Sequence, residues 1–179
     1  MKPLPLLLLA ASLALCLAAA TAADEPKLNP NLEPLRPFLG KTWRGVFKDA
    51  KPDKPTVDVA RWERALNGQA IRVLHSVNEG AYGGETIIWW DQARSLVAYH
   101  YFTTAGFNTS GTMTLAAGKV TAIEKVSGNK NGITEVRSTS ELRPDGTLWV
   151  KAEYLKDGQP AGGRETLYKE DPKAEVKFR

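Results

Sequence analysis

From about residue 40 onward, apolar and polar residues alternate in short runs separated by turn-forming residues. A two-residue period marks strands that bury one face. About ten such runs can be read, at 41 to 47, 57 to 66, 69 to 77, 84 to 90, 96 to 104, 108 to 115, 119 to 126, 133 to 143, 147 to 155 and 163 to 170. They are rich in Val, Ile, Thr, Tyr and Trp, the composition of pleated surfaces. Asn67-Gly68, Asp145-Gly146 and Asp157-Gly158 suit tight turns because their backbones reach positive φ at little cost. The stretches "DAKPDKPT", "NEGAYGG", "DQARS", "AAGK" and "SGNKNG" read as longer loops. Helical character is confined to one turn near 32 to 39, inside the proline-spaced "LNPNLEPLRPFLG". Without crossover helices, sequential strands pair with their neighbours in antiparallel fashion, and a long sheet of this kind loses its exposed edges by closing. The expected fold is all-β: an antiparallel up-and-down β-barrel of about ten strands with a short N-terminal helical turn.

The hairpin around Asn67-Gly68 can be paired residue by residue. A two-residue turn sets Leu66 against Gln69, Arg64 against Ile71, Glu63 against Arg72, Trp62 against Val73 and Ala60 against His75. Alternation then puts Ala60, Trp62, Ile71, Val73, His75 and Val77 on the inner face and Arg61, Glu63 and Arg72 on the outer one. Arg64 shares the inward parity but lies near the hairpin tip, where it could reach the barrel rim. In "ITEVRSTSELR", Val136, Ser138, Ser140 and Leu142 face in, opposite an inner set of Leu148, Val150, Ala152 and Tyr154. In "IIWWD", Trp90 faces in and Trp89 out, and the neighbouring run is expected to turn His100 inward. A barrel wider than eight strands need not be filled by side chains, so an interior cavity is expected.

Residues 1 to 22 change the picture of where such a barrel works. Lys2, an apolar run from Leu4 to Ala20 and the small-residue stretch Ala20-Thr21-Ala22 form the pattern of a cleaved secretory signal. The organisation expected is a signal peptide at 1 to 22 and one lipocalin-like barrel domain at 23 to 179, exported to the periplasm or the medium. The single cysteine, Cys16, falls in the signal, so the remaining domain of about 157 residues must be stabilised by its core, not by disulfides. The net charge of +4 falls by one when Lys2 leaves, and the basic residues are interleaved with acids as on a solvated face. No basic stripe points to nucleic acid, and no later run is long enough to span a membrane.

The opening run "FLGKTWRGVF" resembles the glycine-then-tryptophan signature that begins lipocalin and related calycin barrels. In those barrels the tryptophan plugs one end beneath an arginine from a late strand. Here Gly40 and Trp43 are separated by two residues, Lys41 and Thr42, rather than by one. The succession "FLGKTWRGVF", "WERALNGQAIRVLHSV" and "GGETIIWWDQARSLVAYHYFTTAGF" is more similar to the bacterial lipocalin-like DUF1579 family, whose function is unknown. The resemblance implies structural roles for Gly40 and Trp43, and makes Arg164 in "GGRETLYKE" the arginine that packs on Trp43. The alternative is a surface Arg164 paired with Glu165 or Glu170. Nitrobindin-like haem barrels are similar in strand count, but their iron ligand is a histidine near the C-terminus, whereas the last histidine here is His100. No cofactor and no metal are expected.

Candidate chemistry rests on two histidines, His75 and His100. No serine stands in a nucleophile elbow, and the glycines of "GAYGGE" and "AGGRE" lack the lysine and helix start of a phosphate loop. The primary expectation is a small hydrophobic or amphipathic molecule held in the cavity by Trp62, Arg64, Ile71, Val73, His75, Trp90, His100 and Tyr154. The alternative is a small enzyme of isomerase, decarboxylase or hydrolase type with a cavity histidine as general acid or base. That alternative requires a carboxylate or tyrosine within hydrogen-bonding reach of one histidine.

Overall fold

The computed structural model describes residues 27–179; the expected signal and Cys16 lie outside them. Ten strands follow one another: β1 (Thr42–Phe47), β2 (Val57–Ala65), β3 (Ala70–Val77), β4 (Tyr82–Asp91), β5 (Leu96–Thr103), β6 (Asn108–Ala116), β7 (Lys119–Ser127), β8 (Glu135–Leu142), β9 (Leu148–Lys156) and β10 (Gln159–Glu170). Each pairs with its neighbours in antiparallel register, and β1 also pairs with β10, closing the barrel. Closure satisfies the backbone groups that edge strands would leave open.

The β2–β3 register is as the sequence predicts, with Ala60 opposite His75, Trp62 opposite Val73 and Arg64 opposite Ile71. The turn itself is longer than expected. Ala65 and Ala70 form the last pair, and a short 3-10 turn, Leu66–Gly68, replaces the two-residue connection. Gly68 permits this because it adopts φ +87° and its α-carbon lies against the Lys27 carbonyl, where a side chain would collide.

One barrel end is plugged by a 3-10 helix, Pro30–Phe38, capped by the Asn29 side chain. A three-residue repeat places Leu32, Leu35 and Phe38 along one stripe of such a helix, and all three are buried. Trp43 joins them at 1% exposure, its ring 6.5 Å from that of Phe38. Phe38 also lies 5.2 Å from Trp62. Ile71, Ile88, Val97, Val120 and Leu148 complete an apolar layer beneath the plug. Gly40 turns the chain from helix to strand at φ +71°, its N–H donating to the Trp62 carbonyl at 2.9 Å.

Arg164 does not pack on Trp43. The cation over that indole is Lys41, at 5.4 Å, whereas the Arg164 guanidinium lies 5.1 Å from the Phe47 ring centre. The reason is its position along β10: Trp43 pairs with Glu170 at the plug end, and Arg164 pairs with Ala152 far up the strand. Its direction is set by a bulge. From the Asp157-Gly158 turn, Lys156 pairs with Gln159 and Leu155 with Pro160, a register that would set Arg164 opposite the outward Lys151. An extra residue between Pro160 and Gly163 shifts the pairing, and Arg164, Thr166 and Tyr168 point inward instead.

The chain after β10 runs back along the outside of β1–β3. Asp171 N–H donates to the Thr42 carbonyl, Lys177 N–H to Ser76 Oγ, and Arg179 Nε to the Glu79 carbonyl.

Candidate functional site

Inside the barrel, between the plug layer and the opposite end, lies a cavity of about 210 Å³. Its two halves differ in chemistry because strands run from plug end to mouth with alternate residues facing in. Toward the plug the wall is apolar, from Trp62, Val73, Ile88, Met113 and Leu148. Toward the mouth it carries Asp58, His75, Tyr101, Glu124 and Arg164.

Asp58, 2% exposed, is the centre of this polar half. Its Oδ1 lies 3.0 Å from His75 Nδ1, and its Oδ2 accepts from the Tyr168 hydroxyl at 2.7 Å. Burial pushes the Asp58 carboxyl up, but hydrogen bonds from His75 and Tyr168 and the charge of Arg164 outweigh it and hold the group below the ordinary aspartate value. An ionised Asp58 selects the imidazole tautomer with its proton on Nδ1. In the neutral imidazole Nε2 is then the acceptor for the Tyr101 hydroxyl, 2.7 Å away, and the Tyr101 and Tyr82 hydroxyls hydrogen-bond each other at 2.6 Å. A continuous hydrogen-bonded chain thus runs from Tyr82 near the mouth to buried Asp58.

Two of these contacts cross a strand. Tyr101 on β5 reaches His75 on β3 over Gly84 of β4, where a β-carbon would sit 2.4 Å from the tyrosine ring. Tyr168 on β10 reaches Asp58 on β2 over Gly45 of β1, where a β-carbon would sit 2.7 Å from its ring. Glycine on the intervening strand is what gives each ring room to lie flat.

Glu124 on β7 accepts from the Thr109 hydroxyl and hydrogen-bonds Tyr99. Burial pushes its carboxyl above the ordinary glutamate value, and those hydrogen bonds and the Arg164 charge only partly offset this. Burial disfavours the Arg164 cation, but the surrounding tyrosines and Asp58 more than compensate, so the guanidinium stays charged. Its Nε is buried without a hydrogen-bond partner. Burial likewise holds Tyr82, Tyr99, Tyr101 and Tyr168 above the ordinary phenol value, so all four are neutral phenols at physiological pH.

The residues predicted to form the site separate into groups. Trp62, Val73 and His75 line the cavity. Ile71 is fully buried in the plug layer, and Trp90 packs against that layer with its Nε1 donating to Gln92. Tyr154 is half-buried near Arg164. Arg64 is exposed at the plug end, where its Nε donates to the Lys27 carbonyl at 2.6 Å, and so takes no part in the cavity.

His100 is on the outside. It is exposed between Trp89 and Phe102, because Asp91 pairs with Leu96 across an even, four-residue loop. That register turns Val97, Tyr99 and Tyr101 inward in place of His100. The sequence reading also missed Asp58, Glu124 and Tyr168. Asp58 was within reach of it, since the inward parity of Ala60 and Trp62 extends two residues back to this acid between two valines. Among the described residues, no group of three or more His, Asp and Glu is arranged to hold a metal ion.

The crystal structure of Rv2717c from M. tuberculosis is similar, with a TM-score of 0.57 at 15% identity over 81% of this chain and 99% of that one. At that identity the likeness is one of fold. It agrees with a closed ten-stranded barrel of lipocalin-like, calycin-like type. No family model matches the chain, and no curated protein matches it.

Proposed function

We propose that the protein is an exported, lipocalin-like binding module of the DUF1579 type, which holds one small amphipathic molecule inside its barrel. The observation that carries this is the division of one interior cavity into an apolar half against the plug and a polar half toward the mouth. An apolar cavity of about 150 Å³ accepts benzene, so about 210 Å³ suits a single ring or a short branched chain bearing a polar group. The plug seals the apolar end with fully buried Leu32 and Leu35, so the ligand enters from the mouth with its apolar part leading. Native mass spectrometry and solvent extraction of protein purified from its own host test this. Recovery of a stoichiometric small molecule supports it, and a barrel that returns empty and binds no member of a library of small amphiphiles defeats it.

A second reading, acid–base catalysis in the same cavity, draws on the Asp58 and Tyr101 contacts to His75. Both imidazole nitrogens are already engaged, so proton exchange with a substrate would pass through Tyr101 or Tyr82. Incubation with the extracted molecule distinguishes the readings: chemical alteration of that molecule indicates an enzyme, and its return unchanged a carrier.

A further inference from the structure

The cavity holds a cation that has no hydrogen-bond partner among the described residues. Arg164 makes no ion pair and no hydrogen bond among the described residues, its Nε is buried without a partner, and its guanidinium lies over the face of Phe47. Two acids line the same cavity; the Asp58 charge favours the cation from a distance, but neither acid makes a hydrogen bond or ion pair with it. Both Asp58 oxygens are taken, one by His75 and one by Tyr168. Glu124 is held by Thr109 and Tyr99, and burial inclines it toward the neutral acid. A guanidinium is a rigid fork of N–H donors matched to a planar carboxylate, and such charge-assisted pairs are the strongest hydrogen bonds available in a cavity of this kind.

We infer, building on the binding reading above, that the ligand is a small organic monocarboxylate whose carboxylate pairs with Arg164 while its apolar body lies against Trp62, Val73, Ile88 and Met113. The β10 bulge is consistent with this: it takes up one extra residue between Pro160 and Gly163, so that Arg164 stays opposite inward-facing Ala152; bulges are common beside functional sites. One carboxylate is specified rather than two. Among the described residues Arg164 is the only lysine or arginine lining the cavity, and a second anionic group would face ionised Asp58. A hydroxyl on the same molecule would find Ser138, Ser140 and Glu124 as partners.

The test is isothermal titration of the mature protein at pH 7 with three acids, benzoate, phenylacetate and hexanoate, each beside its neutral primary amide. At least one acid should bind about tenfold or more tightly than its amide, with phenylmalonate weaker than phenylacetate. Arg164→Gln should bring acid and amide to within about twofold, and Arg164→Lys should retain part of the preference. Equal binding of acids and amides, or a preference that persists in Arg164→Gln, overturns the carboxylate assignment and leaves the binding reading standing. Failure of all six compounds also overturns it, and native mass spectrometry then decides the binding reading separately. The wild-type comparison of acid with amide decides the matter even if Arg164→Gln does not fold.

Discussion

Tyr101 hydrogen-bonds His75 across an intervening strand, and Gly84 is the residue that lets it pass. Tyr168 reaches Asp58 across Gly45 in the same way, from the opposite side. The buried Asp58–His75 pair, joining β2 to β3, is thereby tied to β5 on one flank and β10 on the other. Four strands are held by side chains in addition to their ladders. The polar half of the cavity is built by two glycines as much as by its acids and phenols.

Gly84→Ala should therefore destabilise the barrel. The added carbon would stand 2.3 Å from the Phe102 carbonyl oxygen and 2.4 Å from the Tyr101 ring, and the backbone atom cannot simply swing aside. Overpacking of this kind costs about 1–3 kcal/mol. Urea denaturation should show a loss in that range, and combining Gly84→Ala with Tyr101→Ala should give less than the sum of the two separate losses, because the ring is one of the two obstacles. A strictly additive double variant would mean that Tyr101 does not lie over Gly84.

Tyr168→Phe removes a donor to a buried carboxylate, and such charge-assisted hydrogen bonds contribute about 1.5–3 kcal/mol. Its pH dependence follows from Asp58, whose folded pKa lies below its ordinary value of 3.8. A depressed carboxyl stabilises the fold above the unfolded pKa, and that stabilisation is lost as pH falls through the folded one. Losing Tyr168's donor brings the two pKa values closer. The stability gap between wild type and variant should thus be constant from neutral pH down to about 5 and shrink as pH falls past 3.8, read from urea midpoints across the range.

The strands, the closed barrel and the inner face of β2 and β3 were legible because turn residues and a two-residue period specify them locally. The facing of β5 was not, since it depends on whether the loop after Asp91 holds an odd or even number of residues, and "DQARS" reads equally well either way. His100 and the pair Tyr99 and Tyr101 exchanged places on that single residue. Arg164 was noticed, but on the strength of resemblance it was matched to the wrong aromatic ring. The cue that governs its direction is the run Ala161-Gly162-Gly163, where the glycines mark a bulge near the start of β10 rather than a loop before it. Three of the most informative side chains, Asp58, Tyr168 and Glu124, come from strands far apart in sequence, and only closure of the sheet brings them to one space.

Glu124→Gln probes the other cavity acid with the opposite sign. Burial raises the folded pKa of Glu124 above its ordinary value of 4.5, so over the interval between the two values the folded protein holds a proton that the unfolded chain releases. Stability falls as pH rises through that interval and levels off above it, by about 1.4 kcal/mol for each unit separating the two values. Glutamine has no such titration. Wild type should therefore lose stability relative to Glu124→Gln as pH rises from below 4.5, and a gap that stays flat from pH 4 to 8 would show that Glu124 is not raised by its surroundings.

The bulge in β10 gives a prediction in which deletion is milder than substitution. Gly162 sits at φ +110°, a backbone conformation that side chains with a β-carbon rarely adopt. Gly162→Val should cost about 1–3 kcal/mol as local strain. Ala161 and Gly162 together oppose Tyr154, because Pro160 pairs with Leu155 and Gly163 with Glu153. Removing Gly162 leaves Ala161 alone opposite Tyr154 and restores a regular ladder, while Arg164 still faces Ala152 and still points inward. The deletion variant should accordingly be closer to wild type in thermal stability than Gly162→Val. It should also keep Arg164 protected from the arginine reagent phenylglyoxal, as peptide mapping of treated protein would show. Rapid modification of Arg164 in a folded deletion variant would mean that the bulge does more than shift register, and that the inward turn of the guanidinium depends on the bulge's own geometry.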